Sequence, residues 1–237
     1  MWLPLRQLHF GNCVVIKIDA LFMKFKTIIF DFDGTLADTQ SSILATVSAT
    51  LQELNLPVPD GEAINQLIGL PLRDTFVKAA GVEDEKLIDR CVLLYRELFD
   101  DIAAKTVCLF PQVKETILTL RQWGIMVAVA SSRGRDSLQS FLRMFGLQEH
   151  VSAVLGEQDV RHKKPAPDMV LHILEQTASL PQESLVVGDT TYDILMGQRA
   201  FCRTCAVTYG NHSRAQLKQQ NPDFMLDDFS ELLLIVK

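Results

Sequence analysis

The chain has 237 residues, 48% of them apolar and 22% charged, with a formal net charge of −6. That is enough apolar material for a sizeable core, one domain with an insertion, and the acidic balance without a basic cluster argues against a nucleic-acid partner. No apolar run reaches membrane-spanning length, and five scattered cysteines (Cys13, Cys91, Cys108, Cys202, Cys205) suit a reducing, cytoplasmic compartment better than a disulfide framework.

The first 22 residues differ in character from the rest of the chain. Trp2–Leu5 and Val14–Ile16 are apolar, but Arg6, Lys17 and Asp19 interrupt them, so the segment reads as neither a membrane helix nor a signal peptide. Met23 leads directly into the first strand and is read as the natural start. Residues 1–22 are then a mis-assigned upstream extension or, alternatively, an added strand.

The run Ile28-Ile29-Phe30 is of buried-strand type and ends in Asp31 and Asp33, followed by Gly34-Thr35. In an extended chain, side chains two apart share one side. Both carboxylates therefore project from the carboxyl end of a buried strand, where open parallel sheets place ligands. Two like charges held together call for a cation or a shared proton. A solvated turn is the plainer reading. An EF-hand loop would need a glutamate about six residues after the glycine, and the stretch from Thr35 to Gln40 offers none.

From Thr39 to about Cys108 the pattern is helical. Helices are expected over Thr39–Leu54, Glu62–Ile68, Leu72–Ala79 and Glu83–Ile102, broken by Leu56-Pro-Val-Pro-Asp-Gly61. Beyond Pro111 the pattern alternates. Helices at 113–123, 136–145, 167–177 and 193–200 are interleaved with apolar strands at 125–130, 153–155, 184–187 and 204–208. Such alternation indicates a doubly wound α/β fold with a parallel sheet covered on both faces. The predicted organisation is a core of residues 23–38 and 109–237, with an all-helical insertion at 39–108 lying over the carboxyl edge of the sheet.

The later strands also end in polar groups. Ser131-Ser132-Arg133-Gly134 offers hydroxyls and backbone N–H groups at a strand-to-helix turn, suited to an anion. Arg161-His-Lys-Lys164-Pro places a cation before a helix, and Gly188-Asp189-Thr-Thr-Tyr-Asp193 adds two carboxylates at the end of a strand and in the first turn of a helix. Cys202-Arg-Thr-Cys205 has no second pair to complete a zinc site and reads as core thiols. Asn211-His-Ser213 matches a glycosylation pattern without meaning in a cytoplasmic protein.

Taken in order, DFDGTLADT, Ser131, Lys164-Pro and GDTTYD resemble the four motifs of the haloacid dehalogenase superfamily, from Met23 to the C-terminus. The helical insertion is similar to the cap of the phosphoglycolate phosphatase-like branch, as is Gly69-Leu-Pro-Leu-Arg73. Where relatives commonly carry Ala-Gly after the fourth motif's helix, this chain has Ala200-Phe201-Cys202.

The resemblance implies an Mg²⁺-dependent hydrolase of small phosphorylated metabolites. Asp31 is then the nucleophile that becomes an aspartyl-phosphate, Asp33 the general acid and base, and Lys164 the catalytic cation. Asp31, the Asp33 backbone carbonyl and Asp189 would hold the metal, with Asp193 in support. Ser131, Ser132, Gly34, Thr35 and Arg73 are assigned to phosphate or substrate binding, Arg73 as a fork for a second anionic group. The second aspartate argues against dehalogenation and phosphonate hydrolysis. A sugar phosphomutase and a non-enzymatic phosphate-binding protein remain as alternatives, and the oligomeric state is left open.

Overall fold

The computed structural model describes residues 24–237 apart from 82, 104 and 105; the expectations for residues 1–22, Met23 and Cys13 lie outside the described residues.

Strand β1 (Thr27–Phe30) is the centre of the sheet, with every residue buried. It pairs in parallel with β4 (Met126–Ala130) on one side and β6 (Ser184–Gly188) on the other. Beyond them lie β5 (Ala153–Leu155), β7 (Arg203–Val207) and β8 (Phe224–Leu226), giving the order β5-β4-β1-β6-β7-β8, all parallel. The chain leaves β1 toward one edge, returns to its other side and proceeds to the opposite edge. This is doubly wound topology with its switch at β1.

Residue alternation assigns the two faces. Ile28, Phe30, Val127, Val129, Leu185 and Val187 join one core layer, which takes in helices α5 (Val113–Gln122) and α6 (Arg135–Met144). Ile29, Ala128, Ala130 and Val186 point the other way, against α7 (Asp168–Gln176) and α8 (Thr191–Arg199). A period of two on the strands is thus read out as two buried faces.

Between β1 and α5 the chain makes a detour through four helices, α1 (Gln40–Glu53), α2 (Gly61–Asn65), α3 (Leu72–Ala80) and α4 (Glu85–Ala103). Their buried faces, including Val47, Leu51, Phe76, Ile88 and Phe99, are continuous with the α5–α6 core layer. The detour leaves and re-enters through a two-residue antiparallel pair, β2 (Ala37–Asp38) with β3 (Cys108–Leu109), where sequence reading expected no strand and counted Cys108 as the end of the all-helical insertion. A short α9 (Arg214–Gln219) and α10 (Leu232–Ile235) complete the chain. No helix among the described residues is long and apolar enough to cross a membrane.

Candidate active site

The carboxyl ends of β1, β4, β6 and β7 bring the polar groups to one edge. Asp31 follows β1 and is fixed there by its backbone N–H, which donates to the Val187 carbonyl at 2.9 Å. The chain then turns sharply, with the N–H groups of Leu36 and Ala37 both on the Phe32 carbonyl. Gly34 makes this turn at φ +81°, and a Cβ there would stand 2.2 Å from Asp189 Oδ2. Only glycine fits such a position.

Lys164 is wholly buried and donates to two carboxylates, Asp31 Oδ1 at 2.7 Å and Asp193 Oδ1 at 2.6 Å. The second oxygen of Asp193 accepts from the Thr190 N–H (3.0 Å) and the Thr190 hydroxyl (2.6 Å), a capping arrangement that locks the start of α8 and aims Asp193 at Lys164. Asp189 is held by three donors: the Thr35 hydroxyl on Oδ1, and the Asn211 N–H and side-chain amide on Oδ2, at 2.7–2.9 Å. Carboxylate oxygens of Asp31, Asp189 and Asp193 lie within 4.8 Å of one another.

One ammonium against three buried carboxylates leaves excess negative charge, and the titration of Asp189, Asp31 and Lys164 reflects it. Burial, then the neighbouring Asp193, raises the Asp189 carboxyl to about 7 despite the Asn211 and Thr35 hydrogen bonds. Burial raises Asp31 well above the usual carboxylate range, with Lys164 opposing and Asp193, Asp189 and Asp33 adding to the rise. Burial works to lower Lys164, but Asp193 and Asp31 outweigh it and hold the ammonium charged.

Asp33 has a different partner. Arg133 lies across it, with Nε donating to both carboxylate oxygens (3.1 and 3.2 Å) and Nη2 donating to Oδ1 at 2.6 Å. The guanidinium is 8% exposed and sits 4.3 Å from the ring centre of Phe99 on α4 and 5.3 Å from that of Phe141 on α6. Its remaining nitrogen donates to Ser137 Oγ at 3.2 Å.

Asp31, Asp33 and Arg133 open into a cavity of about 660 Å³ between the helical detour and the sheet edge. Its floor includes Asp31, Asp33, Ser131 and Arg133; its walls include Ile64, Leu67, Leu72, Tyr95, Phe99 and Met144.

The structure brings Asp31, Asp33, Lys164, Ser131, Asp189 and Asp193 to the same edge. Three expected substrate groups have other occupations. Thr35 is turned onto Asp189, because the Gly34 turn lays it against that carboxylate rather than toward the cavity. Ser132 lines the cavity but donates to the Gly69 carbonyl of the helical detour at 2.8 Å. Arg73 does not face the cavity: it lies on α3 and pairs with Glu85 and Asp89 of α4, two acids that capture it within the detour.

Sequence reading passed over Arg133 and Asn211. Asn211, taken for a stray glycosylation pattern, is buried against Asp189 in the loop after β7. The rule that strand ends carry the chemistry reaches that loop as well. Cys91, Cys202 and Cys205 are buried free thiols, with Cys202 pushed up to about 12 by burial, as core residues are.

The family model for haloacid dehalogenase-like hydrolases matches residues 28–207. A relative named "Probable phosphatase IndB", from Dickeya dadantii, is 36% identical over 210 residues, covering 87% of this chain and 91% of its own. Pyrophosphatase PpaX of Bacillus anthracis is 34% identical over 214 residues, covering 90% and 97%. A crystal structure described as a predicted phosphoglycolate phosphatase, from Haemophilus somnus, superposes with a TM-score of 0.83 at 27% identity, covering 91% of this chain and all of that one. The chain belongs to the haloacid dehalogenase-like hydrolases.

Proposed function

We propose that the protein is an Mg²⁺-dependent phosphatase that hydrolyses a small organic phosphate through an aspartyl-phosphate on Asp31, with helices α1–α4 as a cap over the site. The observation that carries this reading is the buried Lys164 shared between Asp193 and Asp31, the latter at the floor of the cavity. Lys164 holds Oδ1 of Asp31, leaving Oδ2 to attack phosphorus as the bond to the leaving oxygen breaks. Asp33 gives that oxygen a proton, then takes one from the water that hydrolyses the acyl phosphate. Ser131 Oγ and the backbone of its turn face the phosphoryl oxygens, and Asp193 keeps Lys164 in place.

The cluster fits a small divalent cation: its donors are all hard oxygens, and burial with the neighbouring Asp193 raises the proton affinity of Asp189. Asp31, Asp189 and the Asp33 backbone carbonyl would hold the ion. When bound, it would offset the charge of nucleophile and phosphate.

The two relatives carry the names of a phosphatase and a pyrophosphatase, which supports phosphoryl transfer to water. The apolar walls formed by Ile64, Leu67 and Phe99 leave room for an organic leaving group beside the phosphate. Free thiols in the core suit a cytoplasmic setting. Phosphate release from a panel of phosphorylated metabolites, with Mg²⁺ and with chelator, tests the reading. Release from none of them, or undiminished release in excess chelator, counts against it.

A further inference from the structure

Asp33 as found is locked. A carboxylate held by a guanidinium fork through both oxygens is fixed against Arg133, and it has to shed part of that pairing before it can turn to meet a leaving group or a water. Turnover requires the fork to let go, and Arg133 is nearly buried in an aromatic setting where a cation needs a counter-charge. It will leave Asp33 only for another anion.

Within the cavity, that anion has to come from the substrate. Among the described residues, the basic side chains lining the cavity are Arg133 and Arg96, and Arg96 is paired with Glu157. Arg73, the other candidate, is held by Glu85 and Asp89 outside the cavity. Arg133 also stands between the two parts of the molecule: Phe99 above it belongs to α4, and Asp33 beneath it to the turn after β1.

Building on the phosphatase reading, we propose that Arg133 is the specificity-determining residue: it exchanges the Asp33 carboxylate for a second anionic group on the leaving portion of the substrate. The substrates it selects are phosphate esters or anhydrides whose leaving group bears a carboxylate or phosphoryl group near the scissile bond. The exchange frees Asp33 only when the correct leaving group is in place, so discrimination falls on kcat as well as on KM.

The test uses a matched pair: ethyl phosphate, and phosphoglycolate, in which a carboxylate replaces the terminal methyl. Pyrophosphate serves as the phosphoryl-bearing arm. The full-length protein with Mg²⁺ is compared with Arg133→Met, which keeps the apolar stem, and Arg133→Lys, which keeps the charge without the fork; thermal melting monitors folding.

Wild-type protein should favour at least one anion-bearing substrate over ethyl phosphate by more than about 10-fold in kcat. Arg133→Met should lose roughly 10- to 100-fold in kcat/KM on that substrate, the scale of one charged hydrogen-bonded contact. On ethyl phosphate it should gain several-fold, because Asp33 is no longer held. Arg133→Lys should fall between. The arm with the larger loss identifies carboxylate or phosphoryl as the group read.

Equal losses on all three substrates, or an anion preference that persists in both variants, would overturn the role of Arg133 and leave the phosphatase reading standing. Wild-type protein inert toward every phosphate offered would remove that reading, and the proposal with it.

Discussion

Asp31 and Asp33 stand two residues apart yet face different partners, a buried ammonium and a guanidinium; in the proposed mechanism the first is the nucleophile and the second carries the proton once Arg133 has released it. Replacing Asp31 with Asn keeps shape and removes the attacking charge. Hydrolysis should fall by ~10³-fold or more while the melting temperature does not drop, since burial already disfavours that charge. Wild-type turnover in this variant would exclude the covalent route. Asp189 predicts a pH dependence of stability. Its folded value of about 7 lies above the ordinary 3.8, so the folded state binds the extra proton and its stability should fall as pH rises from about 4 to 7. The interval corresponds to at most ~4 kcal/mol. Melting of metal-free protein between pH 5 and 8 should show this loss, Mg²⁺ should reverse it most strongly above pH 7, and Asp189→Asn should flatten it. An unchanged slope in that variant would assign the dependence elsewhere. The acids were legible in the sequence because a strand that ends in carboxylates is a local pattern. Arg133 and Asn211 were not, because their partners lie 100 and 22 residues away and nothing local distinguishes them from ordinary turn residues.

At the scale of elements, the end of α8 shows what a single departure costs. Phe201 donates its N–H to the Gln198 carbonyl and Cys202 to that of Gly197, a paired closure that requires a left-handed residue at position 201. Phe201 adopts φ +60° there and leaves its ring 81% exposed. A side chain in that region costs ~1–2 kcal/mol, partly offset by the backbone entropy that glycine loses on folding. Phe201→Gly should therefore raise stability by ~1 kcal/mol in denaturant unfolding with turnover unchanged; a destabilised variant would mean that the ring makes a contact worth more than the strain. The same scale explains which elements could be read in advance. Buried strands such as β4 and β6 are continuous apolar runs, and helices such as α6 end at Gly146. The β2–β3 pair has two residues on each side and no periodicity to detect; it exists because the ends of the helical detour must meet.

At the scale of the whole molecule, the cavity exists only where the helical detour rests on the sheet edge, and the seam is specific. Ser132 donates to the Gly69 carbonyl, Gln216 to Gln66 at 2.8 Å, and Glu157 of the core bridges Arg96 of α4 and Lys163. Gly69 is the tightest point. It lies at φ +95° in the turn before α3, and a Cβ there would sit 2.9 Å from Thr190 Cγ2 and 3.1 Å from Thr190 Oγ1. Thr190 is not free to withdraw, because its hydroxyl and N–H hold the Asp193 carboxylate that positions Lys164. A methyl group at 69 therefore faces two losses, a strained backbone and a collision with a buried, fully engaged side chain. The least costly escape is for the turn at Gly69 to shift away from Thr190, which opens the cavity to water and loosens Phe99 from Arg133. Gly69→Ala should lower kcat/KM by roughly 10- to 100-fold, the equivalent of about 1–3 kcal/mol of strain, while helical content and the cooperative melt of the core persist. Limited proteolysis should cut the joining segments near β2 and β3 faster than in wild type. Undiminished kcat/KM together with wild-type protease resistance would show that the seam yields without opening, and that closure of the helical detour is not what completes the site.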